Sequence, residues 1–167
     1  MTIKVFGQEP LHLTNDRELQ DFLDEIFAEE NKEGYLNVDI QAVKDETEDI
    51  DNVLSIGLDY DSGYGALIWH CTDGVAEQIK TFASADVAEY VWVSWNPAPP
   101  AVDPQIVSDP WCPSFFNRVS AIPLSDVRSA VEAYYRESTG YRPSTLQWVK
   151  GNFTGELLEE VDADREK

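Results

Sequence analysis

Basic residues are scarce in this chain, with twelve Lys and Arg against thirty-two Asp and Glu in 167 residues, a formal charge of −20 at pH 7. Such an excess on a small body spreads negative potential over much of its surface, which argues against nucleic acid or an anionic membrane as a direct partner and favours a basic protein. Histidine is scarcer still. His12 and His70 are the only two, too few for a zinc site built from several imidazoles, so no metal and no other cofactor is expected. No apolar run approaches the ~20 residues needed to cross a bilayer. The opening Met1-Thr2-Ile3-Lys4-Val5-Phe6-Gly7 has no apolar stretch behind its single Lys4 and so lacks the build of a secretory signal. The expected compartment is therefore the cytoplasm, with Cys71 and Cys112 as reduced thiols, and the sequon Asn152-Phe153-Thr154 is a coincidence.

What the chain does have is core material, 43% hydrophobic and 11% aromatic residues, enough for one domain. The expected organisation is a single domain over 1–150 followed by an acidic tail over 151–167. A first extended segment runs from Ile3 to Phe6. Asn15 followed by Glu18 fits a capping box, and Leu19, Phe22, Leu23, Ile26 and Phe27 recur at helical spacing, so a helix starts there and Gly34 stops it. Tyr35 to Ile40 and Asn52 to Tyr60 read as strands, separated by the solvated acidic run 44–51. After the turn residues Asp61 to Gly65, Ala66 to Cys71 is a third strand. The Asp73-Gly74 dipeptide suits a hairpin turn with its return from Val75 to Phe82, and Glu89 to Trp95 is dense in β-branched and aromatic residues.

Six prolines between Asn96 and Pro113 rule out a central strand or helix and predict a long irregular loop, pinned by Trp111 and Val107. Ser125 is placed as an N-cap before Val127, Ala130, Val131, Tyr134 and Tyr135 at helical spacing. Gly140 ends that helix, Pro143 prevents its renewal, and Ser144 to Val149 reads as a last strand. The fold class is thus α+β: an antiparallel meander of about five to six strands packed with two main helices, one near each end of the chain.

Chemistry is harder to find. His70 and Cys71 are adjacent on a strand and point to opposite faces, which separates base from nucleophile and makes Cys71 a core residue. Asp59-Tyr60-Asp61-Ser62-Gly63 opens like a calcium loop, but the twelfth loop position is His70 where a bidentate Glu is needed. No catalytic residue is assigned. Carboxylate pairs among thirty-two acids carry little information. Trp69, Trp92 and Trp148 lie within strands as core, whereas Trp95 and Trp111 flank the proline-rich segment, where an indole either packs the loop or meets a partner.

The segment Ile122-Pro123-Leu124-Ser125, the helix through Val127, Ala130, Val131 and Tyr134, then Gly140-Tyr141-Arg142-Pro143 and Leu146-Gln147-Trp148 resembles immunity protein family one of bacterial polymorphic toxin systems. A weaker likeness lies at Gly63-Tyr64-Gly65. The resemblance covers Tyr35 to Val149 and implies an α+β domain, with no enzymatic activity, that binds and neutralises a cognate toxin domain, often a nucleic-acid deaminase and sometimes a nuclease. Its motif positions Gly63, Gly65, Pro123, Gly140, Pro143 and Trp148 are structural. A toxin acting on nucleic acid needs a basic groove for phosphates, which an acidic monomer in a 1:1 complex would cover. Candidate contacts are Asp45, Glu46, Glu48, Asp49 and Asp51 on the charged connection, Asp59 and Asp61 at the turn, and Trp95 and Trp111 on the loop. Two other classes stay open: a small acidic metal-dependent enzyme, and a general acidic adaptor or nucleic-acid mimic without a toxin partner.

Overall fold

The computed structural model describes residues 2–7, 9–28, 33–43, 52–72, 77, 81 and 91–158. Its centre is an antiparallel sheet of β1 (Thr2–Val5), β2 (Leu11–Leu13), β3 (Tyr35–Val43), β4 (Asn52–Asp59), β5 (Tyr64–Cys71), β6 (Val91–Trp95), β9 (Ile122–Pro123) and β10 (Gln147–Gly151). The order is β10-β6-β5-β4-β3-β1-β2, with β9 beside the start of β5. A separate small hairpin joins β7 (Val107–Asp109) to β8 (Ser114–Phe115). The helices are α1 (Asp16–Ile26) and α2 (Leu124–Glu137), one near each end as expected.

Both helices pack on one face of the sheet. Alternation along the strands turns Leu54, Ile56 and Leu58 of β4, Leu67 and Trp69 of β5 and Ile40 of β3 to that face, where they meet Leu23 of α1 and Val127 and Tyr134 of α2. The second face has a core too, made by Ala66, Ile68 and Val93 with Ile106, Phe116 and Ala121 from the segment before α2. Strands β4 and β5 are covered on both sides, which is why they read as nearly continuous apolar runs.

The meander is present in β3, β4, β5 and β6, neighbours in both sequence and sheet. The hairpin turn at Asp73-Gly74 and most of its expected return, Val75 to Phe82, lie outside the described residues. Of that stretch Glu77 is helical, and β5 pairs directly with β6, Ile68 opposite Val93 and Trp69 opposite Trp92.

The N-terminus of α1 is as predicted: the Glu18 amide donates to Asn15 Oδ1 at 3.1 Å, and Glu18 Oε2 accepts from the Thr14 amide and hydroxyl at 2.7 and 2.8 Å. Three other helix ends differ from expectation. Helix α1 stops at Ile26, not at Gly34, because Phe27 leaves helical geometry with its ring still against the core. Gly34 instead opens β3, and its amide donates to Asp61 Oδ2 at 3.2 Å. Helix α2 begins at Leu124 with Pro123 in the cap position, so Ser125 lies inside the first turn. A tertiary bond replaces the side-chain cap, since the Leu124 amide donates to the Gly63 carbonyl at 3.2 Å. At the far end Ser138, not Gly140, adopts the left-handed cap conformation, with φ of 53°.

Candidate functional site

The proline-rich loop is held to the second sheet face by Ile106 and Phe116, both buried and joined by a backbone bond of 2.9 Å from the Phe116 amide to the Ile106 carbonyl. It crosses β4 at Gly57, where a Cβ would lie 2.9 Å from the Phe116 ring and 3.0 Å from the Val107 carbonyl. Only a residue without a side chain permits that approach. Asn37 Nδ2 donates to the same Val107 carbonyl at 2.8 Å, and Arg118 Nη1 ties the loop's first half down through the Pro100 carbonyl at 2.9 Å. Residues 152–158 add a second brace: Ser108 Oγ donates to the Thr154 carbonyl at 2.6 Å, and Gly151 bridges to Leu157.

Held this way, the β7–β8 hairpin overhangs the sheet and encloses a groove of about 360 Å³. One wall is the sheet, with Asn37 and Asp39 of β3. The other carries Asp109 and Trp111, while Phe6 enters from the β1 side and Phe153 beside His70 of β5, their rings 4.9 Å apart edge to face. Asp109 shapes its own wall, since Oδ1 accepts from the Trp111 amide at 2.8 Å and the Cys112 amide at 3.3 Å. The turn presents Trp111 to solvent at 94% exposure. Trp111 therefore does not pin the loop, contrary to expectation; it is the tip of the hairpin, and Ile106 and Phe116 are the pins.

The electrostatics follow from this layout. Asp39 is exposed, makes no ion pair among the described residues, and lies on the same sheet face as His70. Burial pushes the His70 imidazole below its ordinary pKa, and the Asp39 charge acts in the opposite direction without overcoming it. Among the described residues no Lys, Arg or His lines the groove, although Lys4 Nζ stands 5.4 Å from the Phe6 ring centroid. Among the described residues no three His, Cys, Asp or Glu gather as metal ligands.

Of the contact candidates among the described residues, Trp111 alone lines this groove. Asp45, Glu46, Glu48, Asp49 and Asp51 lie outside the described residues. Asp59 and Asp61 serve the β4–β5 turn, with Asp59 Oδ1 accepting from the Asp61 amide at 3.1 Å. Trp95 is half-buried on β6, opposite Gln147. Sequence reasoning passed over Asn37, Asp39, Asp109 and Phe153. The alternation of Leu36-Asn37-Val38-Asp39 does place Asn37 and Asp39 on one face, but nothing local shows that a loop some seventy residues later roofs that face.

The motif positions Gly63, Gly65 and Pro123 prove to be one joint. Pro123 pairs with Tyr64 and Ile122 with Gly65, and a Cβ on Gly65 would meet Val127 of α2 at 2.9 Å. A second joint closes the far end of α2. Trp69 Nε1 donates to the Gly140 carbonyl at 3.0 Å, and Trp148 Nε1 donates to the Pro143 carbonyl at 2.9 Å. These residues fix how α2 and β10 sit on the sheet, so a match to them reports the fold.

No curated protein and no solved structure matches the chain. The sequence profile of the family described as immunity protein Imm1 matches residues 7–150, which takes in both helices, both motif joints and all of the groove except Phe6 and Phe153. The chain belongs to the Imm1 immunity protein family.

Proposed function

We propose that this chain is the antidote to a cognate bacterial toxin domain, which it neutralises by binding, as a monomer in a 1:1 complex in the cytoplasm, without chemistry of its own. The family match over residues 7–150 carries this reading. The toxin has a basic surface and acts on nucleic acid, a deaminase being the leading case. Two physical features support that choice. Enzymes that bind nucleic acid present cationic surface to phosphates, and a body of charge −20 is complementary to such a surface at long range. The concave face under the β7–β8 hairpin, with an exposed indole at its rim, has the makings of a protein contact: an aromatic anchor beside polar groups.

Co-expression tests the reading. Cells making the toxin domain encoded beside this chain's gene should survive when the chain is present and die when it is replaced by an unrelated acidic protein of similar size. Equal killing in both strains would refute the antidote role. Survival with either protein would favour a general acidic adaptor instead.

A further inference from the structure

The groove beneath the β7–β8 hairpin has carboxylates in its lining and, among the described residues, no cation. We propose that it is the toxin-docking surface, and that it receives an arginine side chain of the toxin stacked on Trp111, with Asp39 and Asp109 as its counter-charges. The inference rests on the antidote reading above and assigns that contact a place and a chemistry.

Four observations converge on it. Trp111 is 94% exposed, and the turn that carries it is fixed by two backbone amide hydrogen bonds to Asp109, so its backbone needs no ordering on binding. Asp39 offers a carboxylate that makes no ion pair among the described residues. Asn37, which also lines the groove, has a buried Oδ1 with no hydrogen-bond partner, an acceptor suited to an incoming N–H. The volume, about 360 Å³, falls at the small end of ligand-sized sites. A guanidinium matches all four, because it stacks flat on an indole while its planar fork of donors addresses carboxylate and amide oxygens together. An ammonium has neither the plane nor the fork. Lys4 already stands over Phe6, which directs the incoming charge to the Trp111 side.

The test uses the toxin domain encoded beside the gene, titrated against the wild-type chain, Trp111→Ala, Asp39→Lys, Asp39→Asn and a control, Asp21→Lys, on the exposed side of α1. Trp111 and Asp39 are both exposed, so all variants should melt with the wild type, and Asp39→Asn serves if the charge reversal does not fold. Trp111→Ala and Asp39→Lys should each weaken binding at least ~30-fold, the scale of an interface hot spot, and Asp39→Asn somewhat less. The control should change it less than about threefold. If the wild type binds and the groove variants bind equally well, docking is elsewhere and the inference fails while the antidote reading stands. If the wild type does not bind, both fail. The preference for arginine is read by NMR. A tetra-arginine peptide should shift the Trp111 indole N–H more than tetra-lysine does, and equal shifts would overturn that assignment.

Discussion

At the residue scale one buried polar group, Asn52, joins two strands and a helix. It is buried at the start of β4, and its side-chain amide behaves like one more residue of the ladder: Oδ1 accepts from the Ala42 amide at 3.0 Å and Nδ2 donates to the Ala42 carbonyl at 2.9 Å. Tyr134 of α2 donates its hydroxyl to the same Oδ1, which ties the helix to the start of β4, an inner strand of the sheet. Asn52→Ala should cost about 3 kcal/mol in a denaturant melt, since it strips partners from two backbone groups and a phenol in the core. Gly140 abuts this network. Its φ is +71°, and a Cβ would lie 3.0 Å from Asn52 Nδ2, so Gly140→Ala should cost roughly 1–3 kcal/mol through backbone strain and crowding together. Gly140 was legible in the sequence as a helix stop and a motif position, but not as a neighbour of Asn52. Asn52 was read as the first residue of a strand, and its role could not be foreseen because its partners are 10 and 82 residues away. His70 adds a pH effect. Burial holds its folded pKa below 6.5, so the stability linked to its neutral form is present above pH 6.5 and lost as pH falls through the folded value. His70→Gln should flatten the stability curve in that window, and Asp39→Asn should move the imidazole's NMR titration midpoint lower still.

At the element scale, what the chain reveals depends on whether an element's partners are near or far. Helix α1 was visible because its signals are local: a stripe of Leu19, Phe22, Leu23 and Ile26, and a cap three residues from its donor. Asn15→Ala should destabilise the protein by about 1 kcal/mol by thermal melt. The Glu18 carboxyl is held below its ordinary 4.5 by the Thr14 amide and hydroxyl. Its contribution is therefore present above pH 4.5 and disappears as pH falls through the lower folded value, and Glu18→Gln should remove that part of the acid-side slope. The start of α2 was misplaced by two residues for the converse reason: its first amide is capped by the Gly63 carbonyl, some sixty positions earlier, and Ser125 only looked like a cap. The prolines kept the segment over 96–113 out of the main sheet as expected, but it is not irregular throughout, since β7 (Val107–Asp109) pairs with β8 in a small hairpin of its own. They could not show that Gly57 of β4 is its landing place, and so the groove was invisible although one of its residues, Trp111, had been singled out.

At the scale of the whole molecule the balance of charge governs behaviour over distance. With twelve basic and thirty-two acidic residues the chain repels copies of itself and attracts a basic partner before any contact forms. Arg128 shows how the few cations are used: it joins α2 to α1 through Asp24 at 2.7 Å and Gln20 at 3.2 Å, as internal clamping with little effect on the outer field. Steering of this kind acts on the association rate, and screening at physiological salt, where the Debye length is about 8 Å, weakens it. The most direct measurement is a titration of the purified chain against the toxin domain encoded beside its gene, followed kinetically at about 50 and 500 mM salt. The account predicts a 1:1 complex with nanomolar or tighter affinity and an association rate that falls steeply between the two salts. No binding at micromolar concentration would contradict it.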